Sequence, residues 1–149
     1  PIVCQAWVYR KSPPVGGMVE EACAGNVLYI PFVHDQPTKT GWRTSLWILN
    51  LEWRTITITL DFYDRTGNYV GGKTVTLAPV SLYNVFVKDA LGREFIGSIV
   101  IKAPEDSLIA GAICIYKVDK TSFMACNAYA RQIITGGEQP PPPPPPSAR

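Results

Sequence analysis

Apolar and polar residues alternate with period two over most of this chain. The clearest run sets Ile56, Ile58, Leu60 and Phe62 against Thr55, Thr57, Thr59 and Asp61. Successive side chains of a strand point to opposite faces, so this pattern predicts a half-buried antiparallel strand. The run before it, residues 44–51, carries Leu46 and Ile48 on one face and Trp47, Leu49 and Leu51 on the other. Both faces want cover, which predicts a strand central in its sheet, with Trp47 in the core. Asp64-Arg65-Thr66-Gly67 then reads as a turn: Asp bonds the backbone two residues on, and Gly is free to take positive φ. A hairpin or meander is expected to follow, and residues 41–67 form the keel of the domain.

The same reading predicts a first strand over residues 2–10, ended by Ser12-Pro13-Pro14 and Gly16-Gly17, and a second over 26–33. Pro31 gives that second strand an edge position or a bulge, since proline cannot donate to a ladder. A polar loop is expected over 34–40 and a short strand over 73–77. A strand with Tyr83, Val85 and Val87 alternating comes next, then a loop or single helical turn over 89–94. Strands over 95–102 and 108–116 flank the turn Ala103-Pro104-Glu105-Asp106, and a long last strand spans 121–134. No apolar stripe of period 3.6 runs through ten or more positions. Eight or nine short strands with Gly, Pro and Asp turns predict an all-β fold, a single antiparallel β-sandwich of Ig-like or jelly-roll connectivity.

The domain is expected over residues 1–135, with 136–149 as a Gly-Gly linker and a tail. Pro140 to Pro146 is a run of seven prolines, which favours polyproline II at about 3.1 Å per residue and makes a stiff arm roughly 22 Å long. At the other end, residues 1–12 form an apolar strand behind a Pro/Gly break. That strand either pairs within its own domain or is donated to the sheet edge of a neighbouring subunit. Ile2, Val3, Trp7 and Tyr9 with Pro140, Pro143 and Pro146 are therefore the candidate intersubunit contacts.

Composition narrows the function. The 149 residues are 46% hydrophobic and 17% charged, short of the usual quarter charged, so much of the surface must be neutral. A net charge of +2 with no basic stripe interleaved with aromatics argues against nucleic acid. No apolar run approaches the roughly 20 residues of a membrane span. A first residue Pro1 reads as the product of processing, and it suits removal of an initiator Met better than signal-peptidase cleavage. Cys4, Cys23, Cys114 and Cys126 lack the spacing of a zinc or thioredoxin-type site. They are disulfides of an oxidising compartment or small buried hydrophobes of a reducing one. If bridged, Cys114 faces Cys126 across the hairpin near Asp119-Lys120, leaving Cys4 to Cys23.

Candidate chemistry is thin. Glu20-Glu21, Asp61 with Asp64, and Glu105-Asp106 are the available carboxylate sets, and nothing places two of them across a cleft. His34, the single histidine, lies in an expected polar loop with no G-x-S-x-G elbow to serve. Gly71-Gly72 lacks the strand-loop-helix context of a phosphate cradle. No catalytic residue, metal site or cofactor is expected. Among the aromatics, Trp42 and Trp53 stand at strand ends and are the candidates for exposed rings that stack on a sugar or anchor an interface. Thr55, Thr57, Thr59, Thr74 and Thr76 read as a polar outer sheet face.

The stretch GWRTSLWILN, followed by TITITLDFYDRTG and TLAP, resembles Ig-like and jelly-roll β-sandwich modules of bacterial and archaeal surface proteins, over about residues 30–115. These motifs are strand and turn chemistry, so the resemblance implies a fold and a surface setting and carries no site residues. The functional expectation is a non-enzymatic structural subunit of a homomeric extracellular filament or virion-type assembly, its partners other copies of itself and its termini connecting them. The alternative is a carbohydrate-binding or adhesion module at the cell surface, with a glycan as partner.

Overall fold

The computed structural model describes residues 6–11, 14–19, 24–119, 123–127 and 129–130. The elements are β1 (Ala6–Lys11), β2 (Pro14–Val19), β3 (Val27–Asp35), β4 (Trp42–Asn50), β5 (Ile56–Asp64), β6 (Tyr69–Leu77), β7 (Leu82–Phe86), α1 (Val87–Leu91), β8 (Phe95–Lys102), β9 (Ile109–Lys117), β10 (Phe123–Asn127) and β11 (Tyr129–Ala130). The fold is all-β. A four-stranded sheet of order β10-β9-β4-β7 and a five-stranded sheet of order β11-β3-β8-β5-β6 enclose the core, and β1 with β2 makes a separate hairpin. All pairings are antiparallel.

The core follows from alternation. Leu28, Ile30, Ile56, Ile58, Leu60, Phe62, Ile99 and Ile101 from the larger sheet meet Leu46, Ile48, Ile109, Ile113 and Ile115 from the smaller, all buried. The registers Leu28↔Ile101↔Leu60 and Ile30↔Ile99↔Phe62 lay these residues in rows across three strands. Facing rows bury β-branched side chains that are stiff at χ1 and therefore lose little freedom on packing. Each such residue contributes roughly 1.5–3 kcal/mol. At one corner Phe95 meets Phe62 edge-on, with ring centroids 5.7 Å apart.

Turn chemistry behaves as expected. Asp64 Oδ1 accepts the Thr66 N–H at 2.9 Å and the Asn68 N–H at 3.0 Å, while Gly67 takes φ +87°. The result is the β5–β6 hairpin. Thr57 stands opposite Thr76 and Thr59 opposite Thr74, the expected outer threonine face. Pro31 falls inside a register shift between Ile30 and Val33, a bulge that spares the missing N–H.

Other expectations are corrected. The two strands of the keel 41–67 lie in different sheets, β4 in the four-stranded sheet and β5 in the five-stranded one. Within the single last strand expected over 121–134, the described residues form two strands, with β10 on β9 and β11 on β3, so the chain changes sheets between them. His34 and Asp35 continue β3 rather than beginning a loop, because the bulge restores the register and sets Asp35 beneath the sheet. Val87 opens α1 instead of ending a strand. The Pro/Gly break after β1 is itself β2, with Gly16 opposite Tyr9 and Gly17 opposite Val8; cross-strand pairing outweighs the poor strand propensity of glycine.

Trp7 and Tyr9 thus lie in a hairpin formed within the chain, and β2 comes close to β10. Ile2, Val3, Cys4, Cys23, Pro140, Pro143 and Pro146 fall outside the described residues, as does the expected boundary at 135–136. In the β9–β10 register Cys114 stands opposite Ala125 and Cys126 opposite Ile113. In that register the two cysteines are offset by one residue rather than directly opposed.

Candidate interaction face and the two ends of the sandwich

The outer surfaces of the two sheets differ in chemistry. The five-stranded sheet shows the threonine rows and an ion pair, Lys102 Nζ to Asp61 Oδ2 at 2.8 Å, as a solvated face should. The four-stranded sheet turns Leu46 and Ile48 inward, so Trp47 and Leu49 point outward. Trp47 is 43% exposed, and the expectation that it lies in the core is corrected. Both faces of β4 are apolar, and only the facing sheet decides which one is buried. In register with Trp47 are Asn84 and Ala112, and with Leu49 are Leu82 and Ala110. Asn84 Nδ2 donates to Ser45 Oγ at 2.9 Å. From Ser45 to Leu49, with their β7 and β9 partners, the face carries no charged side chain. Asn84 and Ala112, smaller than the Trp47 ring, flank it and leave it exposed on a neutral surface.

At the end where β4 begins, polar groups converge. Asp35 is fully buried, and its Oδ2 accepts the Lys88 N–H at 2.7 Å. This supplies the cap that α1 lacks locally, since its N-cap residue Phe86 offers no side-chain hydrogen bond. The other oxygen, Oδ1, lies 3.6 Å from Arg43 Nε without a hydrogen bond. Arg43 lies over the Phe86 ring, 3.7 Å from its centroid, and reaches Asp89 at 3.5 Å. Burial pushes the Asp35 carboxyl above the usual carboxylate range, opposed by the Lys88 N–H and the Arg43 charge. His34 Nε2 pairs with the Thr40 hydroxyl at 2.9 Å, and burial lowers its pKa. Asp35 and Arg43 thus tie β3, β4 and α1 together, and the arrangement is a structural clasp.

Trp42 belongs to this end. It is half-buried against the core, with its ring 6.1 Å from that of His34 and 5.7 Å from Lys117 Nζ. Trp53 stands beyond the other end of β4 and is 89% exposed. Nine residues of strand separate the two ends, about 27 Å or more, so the two rings cannot share one sugar.

The Trp53 end is built on Asn50, which is fully buried. Its Nδ2 donates to the carbonyls of Ala78 at 2.7 Å and Arg54 at 2.9 Å, and its Oδ1 accepts the Glu52 N–H at 2.9 Å. Around it Val80 N–H donates to Glu52 O, and Leu108 N–H donates to Glu52 Oε1. The loops carrying Trp53, Val80 and Leu108 are thereby held together. Sequence reasoning missed Asn50; its only signal is a polar residue at the inward parity of an apolar strand.

No family model matches the chain, and no curated protein matches it. Among solved structures, a crystal structure of Thermotoga maritima 1070 is similar, with a TM-score of 0.60 at 19% identity, over 72% of this chain and 95% of that one. At that identity the likeness is one of fold: this chain shares the all-β architecture of that protein.

Proposed function

We propose that the chain is a non-enzymatic structural subunit of a homomeric assembly, of the extracellular filament or virion type, and that the outer face of its four-stranded sheet is a subunit contact. The observation that carries this reading is Trp47, 43% exposed at the centre of an uncharged face of Leu49, Leu82, Ala110 and Ala112. Interface cores are depleted in charge and enriched in tryptophan, and a flat self-complementary sheet face suits a two-fold contact. The opposite outer face mixes threonines with the Lys102–Asp61 ion pair and with exposed Tyr29 and Tyr69, so charge, not aromatic content, separates the two faces. The separation of Trp42 from Trp53 weighs against the sugar-binding alternative, which needs neighbouring coplanar rings.

The test is the mass of the intact chain by light scattering across a concentration series, for the native sequence and for Trp47→Glu. The native chain should associate, and the carboxylate should weaken association at least tenfold while leaving the circular dichroism spectrum unchanged. A native chain that stays monomeric up to millimolar concentration would sink the proposal.

A further inference from the structure

Four exposed apolar side chains lie at the Trp53 end. Trp53 is 89% exposed, Leu82 54%, Val80 50% and Leu108 47%. Trp53, Val80 and Leu108 come from three loops that the Asn50 and Glu52 hydrogen bonds hold together, and Leu82 opens β7 at the edge of the sheet face described above. Val80 has φ +47°, a left-handed conformation that a β-branched residue adopts only under constraint, and such strain collects where a surface is shaped for a ligand.

The topology brings the rest of the chain to the same place. β10 and β11 both run toward this end: Ala130 stands opposite Leu28 near the start of β3, and Gly25, three residues earlier, bridges Ile109 beside Leu108. The chain therefore leaves Ala130 at the same end of the sandwich as the patch, on the edge strand away from β6 and β7. Nine residues, 131–139, then precede the seven prolines. They include Gly136-Gly137 and span up to about 30 Å, enough to turn back over the loops.

We propose that the patch of Trp53, Val80, Leu82 and Leu108 is the docking site of this chain's own proline run, Pro140 to Pro146. Polyproline II ligands dock against aromatic rings, which Trp53 supplies here, and being already extended they give up little entropy on docking. A short tether holds the run at an effective concentration near millimolar, above that of any neighbour's arm in dilute solution, so the occupant is the arm of the same chain. This goes beyond the assembly reading and stands without it. It also moves the proline arm from the neighbour's surface to the protein's own.

The test compares tryptophan indole resonances by NMR in the full-length chain and in a full-length variant with Pro140 to Pro146 replaced by Gly-Ser repeats. The Trp53 indole cross-peak should shift and its hydrogen exchange should quicken several-fold, with those of Trp42 and Trp47 unmoved, identically before and after tenfold dilution. A second reading comes from the arm: Trp53→Ala should return the Ala148 amide to its random-coil position. An unmoved Trp53 indole, or an Ala148 amide indifferent to Trp53→Ala, overturns the proposal; a shift that fades on dilution overturns it in favour of a neighbour's arm. Because Trp47→Glu tests assembly separately, failure of one proposal is not failure of the other.

Discussion

Asp35 Oδ1 and Arg43 Nε lie 3.6 Å apart in the interior, and neither atom makes a hydrogen bond. The pair sits where β3 of one sheet, β4 of the other and the start of α1 meet. Its buried carboxylate is stabilised by the Lys88 N–H on its second oxygen and by the charge of Arg43 rather than by contact with it. An ion pair held in this way is costly to break by removing one partner.

That relationship has a pH signature. Because burial raises the Asp35 pKa in the folded state, the folded protein binds this proton more tightly than the unfolded chain does. Stability from this group therefore rises as pH falls through the raised pKa, the reverse of ordinary carboxylates. Asp64 works in the opposite direction: Thr66 and Asn68 hold its carboxyl down to about 2, so its contribution is present above the ordinary 3.8 and lost as pH falls toward 2. His34, lowered by burial from 6.5, subtracts stability as pH falls below that value. Urea denaturation from pH 7 to pH 2 should show Asp35→Asn losing the gain on acidification that the native chain has, with the late loss intact. Identical pH profiles for the two proteins would contradict this account. Asp35→Leu, which also orphans the Lys88 N–H and Arg43, should cost about 3–5 kcal/mol.

Asn50 is the corresponding clasp at the other end. Its amide makes three hydrogen bonds to backbone in full burial, so Asn50→Leu strands two carbonyls and an N–H. A loss of about 3 kcal/mol or more is expected, read as a lowered urea midpoint. Hydrogen exchange should quicken in residues 51–55 and 78–81 before the core strands. A midpoint within experimental error of the native value would show that the loops hold without it.

Gly97 tests the packing at the bulge. A Cβ there would stand 2.1 Å from the Tyr63 carbonyl oxygen and 2.6 Å from Phe95 Cζ. The first neighbour is backbone, in the strand that pairs with β8, and cannot step aside. Gly97→Ala should therefore destabilise by about 3 kcal/mol or more, whereas Gly41→Ala, with nothing near its Cβ but φ +75°, should cost about 1 kcal/mol. Thermal melts of the two variants give the ordering directly, and Gly41→Ala as the worse of the two would overturn it.

The fold class was legible in the chain because period-two alternation is local. Ile56 to Phe62, the Asp64 to Gly67 turn and β8, with its residues 95–102, depend on neighbours two to four positions away, and those interactions are present in the sequence itself. The two partners of the proposed docking also begin there, in the seven prolines and in a tryptophan beside a strand end. What the sequence left undecided are relations between residues far apart. Leu46 and Trp47 are equally suited to burial, and the choice between them was made by the sheet that packs across from β4. The sequence of residues 121–134 shows no break, and the division of β10 and β11 between two sheets follows from which edges, β9 and β3, stand open to them. Asp35 and Asn50 look like ordinary polar residues until α1 and the loops at 51–55 and 78–81 are brought over them. Tertiary structure alone sets these positions, because the free energy of a buried polar group depends on partners that lie tens of residues away.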